Sequence, residues 1–359
     1  MGSSCNLRRA SCRGDAGAIQ LVGLRPDGLG SHRLIAYSSV EPQCRSCVAA
    51  AILDCAPATP AGARVVRSNA SGDGLPNNRF RPREEALSSK ISVKAVGKVF
   101  DVKGGSFQAL HDINLEVGPE EFLCIVGPSG CGKSTLLRML GGLDTPSAGR
   151  IRLRHDAPGR PVTAMIFQQE SVFPWLTVED NAAYGLRVTG AWKGRESAER
   201  VDYFLEKTGL LGFRDFYPYQ LSGGMKQRLS VARAFITNPE ILLMDEPFAA
   251  LDEQNKRLLQ AELGKLWEDF RSTVVFITHS LDEAVLLGDR VVVMSSAPGH
   301  FKQAFDVPFP RPRNLLDLRQ TLEFNALTGQ IWTLLGEEVH RAREAEAARL
   351  RELGIRKHG

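Results

Sequence analysis

The segment GPSGCGKST at residues 127–135 constrains the fold of this chain more than any other. The apolar run EFLCIV precedes it and LLRML follows it. A short, continuous apolar run of that kind reads as a strand buried on both faces, and LLRML reads as the first turns of a helix. The glycine-rich turn therefore joins strand to helix and fits the pattern G-x-x-x-x-G-K-[ST] at Gly127, Gly132, Lys133 and Ser134. Its glycines let amide N–H groups turn inward around an anion, and the new helix adds its positive end. Lys133 is expected to reach the β- and γ-phosphates of a nucleotide, and Ser134 a magnesium ion.

The rest of the chain supplies a frame for that turn. ISVKAVGKVF and LHDINLEV alternate like half-exposed strands. AMIFQ, EILLMDEP, TVVFITH and RVVVMS are apolar runs of strand length, several of them separated by helical stretches. This alternation predicts a parallel sheet wrapped by helices. EILLMDEP delivers Asp245 and Glu246 to the carboxyl edge of the sheet, where ligands of open α/β sheets bind. Asp245 fits a magnesium partner acting through water, and Glu246 a general base that polarises an attacking water.

A second helix start, QLSGGMKQRLSVARA at 220–234, also looks like an anion site, yet it carries no lysine in its turn. Ser222 by itself is a good N-cap. Likewise Phe100 by itself reads as a core aromatic, Gln168 as a polar strand end, and His279 as a buried histidine. Their order along the chain outweighs these separate readings.

Together these residues resemble the ATP-binding cassette (ABC) family, the nucleotide-binding subunits of ABC transporters, over about residues 91–310. The resemblance implies an α/β fold: a P-loop NTPase core, RecA-like, with a mostly parallel sheet, an antiparallel β subdomain and an ABC helical subdomain. It assigns ATP contacts to Phe100, which stands where the family stacks an aromatic on adenine, and to the Walker A residues Gly127, Pro128, Ser129, Gly130, Cys131, Gly132, Lys133, Ser134 and Thr135. Gln168 matches the Q-loop glutamine, the spacing to FPWLTV favouring it over Gln169. Asp245 and Glu246 match Walker B, Asp252 the D-loop, and His279 the switch histidine. Catalysis would rest on Glu246, His279 and Gln168, and Mg2+ on Ser134, Gln168 and Asp245.

Leu221, Ser222, Gly223, Gly224 and Met225 match the LSGGQ signature, with Met225 in place of the commoner glutamine, a frequent importer variant. In the family two cassettes pack head to tail, and the signature of one copy closes on the ATP held by the other. That accounts for an anion-binding helix start without a lysine: the partner copy supplies it.

The resemblance further implies a homodimer docked on separate integral membrane permease subunits, fed indirectly by a periplasmic or extracellular solute-binding protein, at the cytoplasmic face of the cell membrane. Phe173, Pro174 and Trp175 are expected in an exposed loop that meets the permease, with local core packing of the aromatics as the alternative. DRVVVMSSAPGHFKQAFDVPFPRPRN and PWLTVEDN are similar to the nitrate, sulfonate and taurine importer group. The runner-up is a soluble ABC ATPase of DNA repair or translation, disfavoured because no sustained heptads separate Gly127 from Ser222 and the chain holds one cassette.

The expected domains are an N-terminal extension at 1–88, an ABC ATP-binding domain at 89–310 with its helical subdomain at about 172–228, and a helical tail at 311–359. In the tail, Leu315, Leu318, Leu322, Leu327, Ile331 and Leu334 fall at helical spacing, and the charged end RAREAEAARLRELGIRKHG reads as a solvated helix. No apolar run approaches the roughly 18 residues that span a bilayer. The net charge of +4 over 359 residues gives no case for nucleic acid. Residues 1–88 hold 11 arginines, no lysine and 7 acidic residues, and are rich in Gly, Ser, Pro and Ala. That composition predicts disorder, as a tail or targeting segment or, by preference, an over-long start of the reading frame. Cys44 and Cys47 form a CxxC without the second pair a zinc ribbon needs, and read as unpaired thiols.

Overall fold

The computed structural model describes residues 89–352 except 103, 104, 170 and 250. The expectations for 1–88, Cys44 and Cys47 included, and those for the last seven residues lie outside the described part.

Two sheets form the frame. Strands β1 (Ile91–Val102), β2 (Gly105–Val117) and β4 (Ala148–Leu153) make an antiparallel sheet in the order β2-β1-β4. Strands β3 (Phe122–Val126), β5 (Thr163–Ile166), β6 (Ile241–Asp245), β7 (Thr273–Ile277), β8 (Arg290–Met294) and β9 (Phe301–Asp306) make the second, in the order β5-β6-β7-β3-β8-β9. All its neighbours pair in parallel except β9, which runs antiparallel to β8.

The central strands are apolar throughout because both faces are covered, and their period of two divides the molecule into two cores. Phe122, Cys124 and Val126 of β3 pack into one, while Leu123 and Ile125 pack into the other. Strands β6, β7 and β8 alternate the same way: Leu242, Val274 and Val291 face the first core, and Leu243, Val275 and Val292 the second. The second core lies between the two sheets and includes Leu136, Leu137 and Leu140 of helix α1 (Lys133–Leu140).

The first core is closed by helices. Helices α2 (Val178–Val188) and α3 (Arg195–Lys207) follow β5, and α4 (Gly223–Ile236) leads back into β6. Val178, Ala182, Val201, Phe204, Leu229 and Phe235 are fully or almost fully buried among them. Because α4 is continuous to Ile236, the helical segment reaches past residue 228 to the threshold of β6. Helix α5 (Glu253–Phe270) precedes β7, and α6 (Leu281–Leu287) precedes β8.

After β9 come the short α7 (Leu315–Leu318) and the long α8 (Leu322–Glu352). The first turns of α8 bury Phe324, Ile331 and Leu335 in the first core. Leu322, which shares the helical spacing, is 82% exposed at the first position of the helix, whereas Phe324 and Ile331 turn into the core. Glu338 is buried on the same helix and is satisfied by the Ser296 amide at 3.0 Å and by Lys302 and Arg341. No helix of the described residues is long and apolar enough to cross a membrane.

Candidate active site

The turn at 127–135 leaves the end of β3 and enters α1. Gly132 has φ 98° and Gly130 φ 75°, values that glycine adopts without the strain a Cβ would add. Space is as restrictive as torsion. A Cβ at Gly127 would lie 2.9 Å from Cys131 Sγ and 3.0 Å from the Met294 carbonyl oxygen, and one at Gly132 would lie 2.6 Å from Leu110 Cδ2. The turn is thus packed on β2 and β8 from behind and free toward solvent at Ser129 and Gly130.

Lys133 is buried and folds back over the turn, donating to the carbonyls of Gly127 at 2.8 Å and Pro128 at 2.9 Å. Cys131 Sγ lies 3.7 Å from the same ammonium. Burial pushes the Cys131 thiol up, with Lys133 pulling it the other way. Thr135 follows in the first turn of α1, partly buried.

Ser134 Oγ donates to Asp245 Oδ1 across 3.0 Å, tying α1 to the end of β6. The Asp245 carboxyl is raised by burial, lowered by the Ser134 hydrogen bond and raised again by the neighbouring Glu246. Two adjacent carboxylates at a buried strand end call for a cation, and the oxygens of Ser134 and Asp245 are the hard donors magnesium takes. The residues present therefore fit that ion.

Glu246 is the next residue and leaves the strand with φ 44°, a left-handed conformation costly for a non-glycine residue. Its amide is anchored by the Ile277 carbonyl at 2.9 Å. Its Oε2 accepts from Gln168 Nε2 at 3.2 Å and lies 3.2 Å from His279 Nδ1. Gln168 follows β5 and His279 follows β7, the two strands that flank β6. Parallel pairing therefore brings three residues far apart in sequence to one carboxyl edge, beside the turn from β3.

The other expected residues stand apart from this cluster. Leu221 is buried; Ser222 caps α4, its hydroxyl accepting from the Met225 amide at 3.3 Å, and Gly223 and Ser222 are exposed. A Cβ on Gly224 would lie 3.3 Å from Leu251 Cδ2. Asp252 caps α5, accepting from the amides of Gln254 at 3.1 Å and Asn255 at 3.0 Å. Its carboxyl is held below the usual range by the Asn255 amide and side chain. Phe100 lies partly buried at the end of β1, with Lys98 Nζ 4.9 Å from its ring centroid.

Two arrangements were not read from the sequence. Arg233 of α4 donates to Ser171 Oγ at 2.8 Å and lies 5.1 Å from the Phe173 ring centroid, which ties α4 to the segment after Gln168. Phe173 is consequently packed, 4.4 Å between ring centroids from Tyr184, rather than exposed; Trp175 alone of the three expected loop residues is both large and open, at 69%. The second is a buried network around Glu283, next to His279. Its sequence signal, S-x-x-E at Ser280–Glu283, reads as a local helix cap.

The sequence profile of the ABC transporter family matches residues 110–249. An uncharacterized ABC transporter ATP-binding protein of Methanocaldococcus jannaschii is 45% identical over 72% of this chain and 95% of its own length. The chain belongs to the ABC transporter ATP-binding family. The nitrate import ATP-binding protein of Synechocystis is 40% identical to this cassette over 71% of the chain and 97% of its own length. For the aliphatic sulfonates import ATP-binding protein of Bacillus cereus the identity is 40%, over 62% and 89%. Among solved structures, a dimeric ATP-binding cassette in a post-hydrolysis state with ADP and Pi aligns with TM-score 0.55 and 32% identity, over 61% of this chain and all of its own. This cassette is an ATP-hydrolysing protein of a P-loop NTPase fold, with the mostly parallel sheet and antiparallel β subdomain its sequence implied.

Proposed function

We propose that this cassette drives an importer for a small anion such as nitrate or an alkanesulfonate, docked as a homodimer on permease subunits at the cytoplasmic face of the membrane. A solute-binding protein on the outer side delivers the cargo. The relatives named for nitrate and sulfonate import support the cargo class.

The observation that carries the catalytic reading is the shared oxygen of Glu246, 3.2 Å from both Gln168 and His279. ATP lies with its adenine on Phe100 and its phosphates in the turn 127–135, where Lys133 exchanges the Gly127 and Pro128 carbonyls for phosphate oxygens. Ser134 and Asp245, with Gln168, hold Mg2+, which when bound neutralises phosphate charge. Glu246 accepts a proton from the attacking water, and its left-handed backbone aims the carboxylate along the sheet edge. His279 and Gln168 orient that carboxylate and report the nucleotide to the rest of the chain.

Ser222 and Gly223 are exposed at the start of α4, with Gly224 partly buried beside them, and among the described residues the Ser222 hydroxyl is engaged only by the Met225 amide of its own helix. In the dimer they close on the phosphate held by the other copy, with Leu221 and Met225 packed behind them and Asp252 at the seam. ATP is then part of the interface, and its hydrolysis opens the pair.

Affinity purification of the full chain from detergent-solubilised membranes of its host tests the transport reading. A hydrophobic multi-span protein should co-purify; ribosomes or DNA ends instead would overturn it. Uptake of labelled nitrate or alkanesulfonate into proteoliposomes holding that complex then identifies the cargo.

A further inference from the structure

We infer that Glu283 is a positioning residue for the reaction: it holds the backbone on either side of His279 in place, and Lys256 supplies the charge that lets it remain buried there. The inference rests on the proposed role of His279.

The His279 ring is largely exposed, with its side chain 61% accessible. Few contacts fix such a ring directly, so its position is set by the backbone that carries it. Thr278 precedes it, fully buried, and donates its hydroxyl to Glu283 Oε2. Ser280 follows it, and the Ser280 amide donates to Thr278 Oγ1 at 3.0 Å. The Glu283 amide in turn donates to Ser280 Oγ at 3.4 Å. Both peptide neighbours of His279 are thereby tied to Glu283, Thr278 directly through the carboxylate, and Ser280 through the Thr278 hydroxyl and the Glu283 amide.

In an ordinary S-x-x-E capping box the glutamate returns to the N-cap amide. Here that amide is taken by Thr278, and the Glu283 carboxylate turns inward, where it is 3% exposed. A carboxylate at that depth is costly without a cation. Lys256 of α5 meets Glu283 Oε1 at 2.6 Å, and Gln260 approaches the same oxygen at 3.4 Å. Helix α5 begins at the Asp252 cap, a few residues after Glu246. The pair therefore sets the distance between the segment that follows Glu246 and the segment that carries His279. That distance fixes whether His279 Nδ1 meets the Glu246 carboxylate, and misplacement on the order of 1 Å is enough to cost about a hundredfold in rate.

The test compares MgATP turnover, ATP KM and thermal stability of the full chain in Thr278→Val, Thr278→Ser, Glu283→Gln, His279→Ala and His279→Ala/Glu283→Gln forms. Thr278→Val keeps the buried Lys256–Glu283 pair and removes the hydroxyl that links it to the backbone of Thr278 and Ser280, so it serves if Glu283→Gln fails to fold. We expect kcat to fall about ten- to a hundredfold in Thr278→Val and Glu283→Gln at unchanged ATP KM, and Thr278→Ser, which restores the hydroxyl, to recover it. Adding Glu283→Gln to His279→Ala should leave the residual rate unchanged, because the two act through one group. Native kcat in Thr278→Val, or a further drop of equal size in the double variant, overturns the inference while a slow His279→Ala leaves the His279 role standing. Native turnover in His279→Ala removes that role and this inference together.

Discussion

The Gln168 side-chain amide donates to Glu246 Oε2 across 3.2 Å, and the two residues leave adjacent strands, β5 and β6. His279 meets the same oxygen from β7 on the other side. Glu246 is thus held in the middle of three parallel strand ends, at a backbone conformation that glutamate adopts only under constraint. Glu246→Gln preserves the shape of that arrangement and removes the proton acceptor. Turnover should fall by about 10²- to 10⁴-fold, with ATP affinity of the monomer kept. Steady-state phosphate release and equilibrium nucleotide binding, measured side by side, check both halves.

Asp245 carries a different prediction. Burial raises its carboxyl, and Glu246 adds to the shift against the opposing Ser134 bond. A carboxyl raised on folding binds protons more tightly in the folded state, so the stability it contributes is present at low pH and lost as pH rises through the folded value. Above that value the charged form is a cost in the absence of nucleotide, and Asp245→Asn should raise the melting temperature there. The same change removes a metal ligand, so the additional rise that MgATP gives the native protein should shrink or vanish. Calorimetry with and without MgATP reads both.

Acid sensitivity should arise at another place. Lys90, just ahead of β1, pairs with the buried Glu240 and with Asp156 at 2.8 Å. Burial acts to raise the Glu240 carboxyl, but Lys90, the amides of Asp156 and Ala157, and His155 outweigh it and hold it at about 2. A carboxyl lowered on folding contributes stability above its unfolded value, and that contribution is lost as pH falls from about 4.5 toward 2. Glu240→Gln should therefore melt lower than the native protein at pH 7, with the gap narrowing as pH falls through that window. Melting curves from pH 7 to pH 3 decide it; a gap that stays constant with pH would contradict the assignment.

Burial pattern explains which parts of this molecule were legible in the sequence. Strands β3, β6, β7 and β8 are covered on both faces, so their residues form unbroken apolar runs. Strands β4 and β9 lie at sheet edges and mix Arg150 and Arg152, or Lys302 and Gln303, with apolar residues, so no comparable run marks them. The corner formed by Lys133, Ser134, Asp245, Glu246, Gln168 and His279 was legible because each stands in a short local pattern, and the parallel sheet gathers those patterns at one edge. The Lys256–Glu283–Thr278 network was not, because Lys256 comes from α5, which the sequence alone does not bring to the turn between β7 and α6. For Phe173 the sequence left exposure and local packing both open, because the tyrosine and arginine that cover it come from α2 and α4.

The central claim is that each active site is completed by the other copy, Lys133 from one and Ser222 from its partner. Two variants built on the Glu246→Gln background test it most directly: Ser222→Arg, which blocks the signature, and Lys133→Ala, which empties the phosphate turn. Sedimentation with MgATP should find each variant alone monomeric. Their equimolar mixture should contain dimers, since a mixed pair holds one intact composite site. Monomers in the mixture, where Glu246→Gln alone forms dimers, or dimers of Ser222→Arg by itself, would contradict the account.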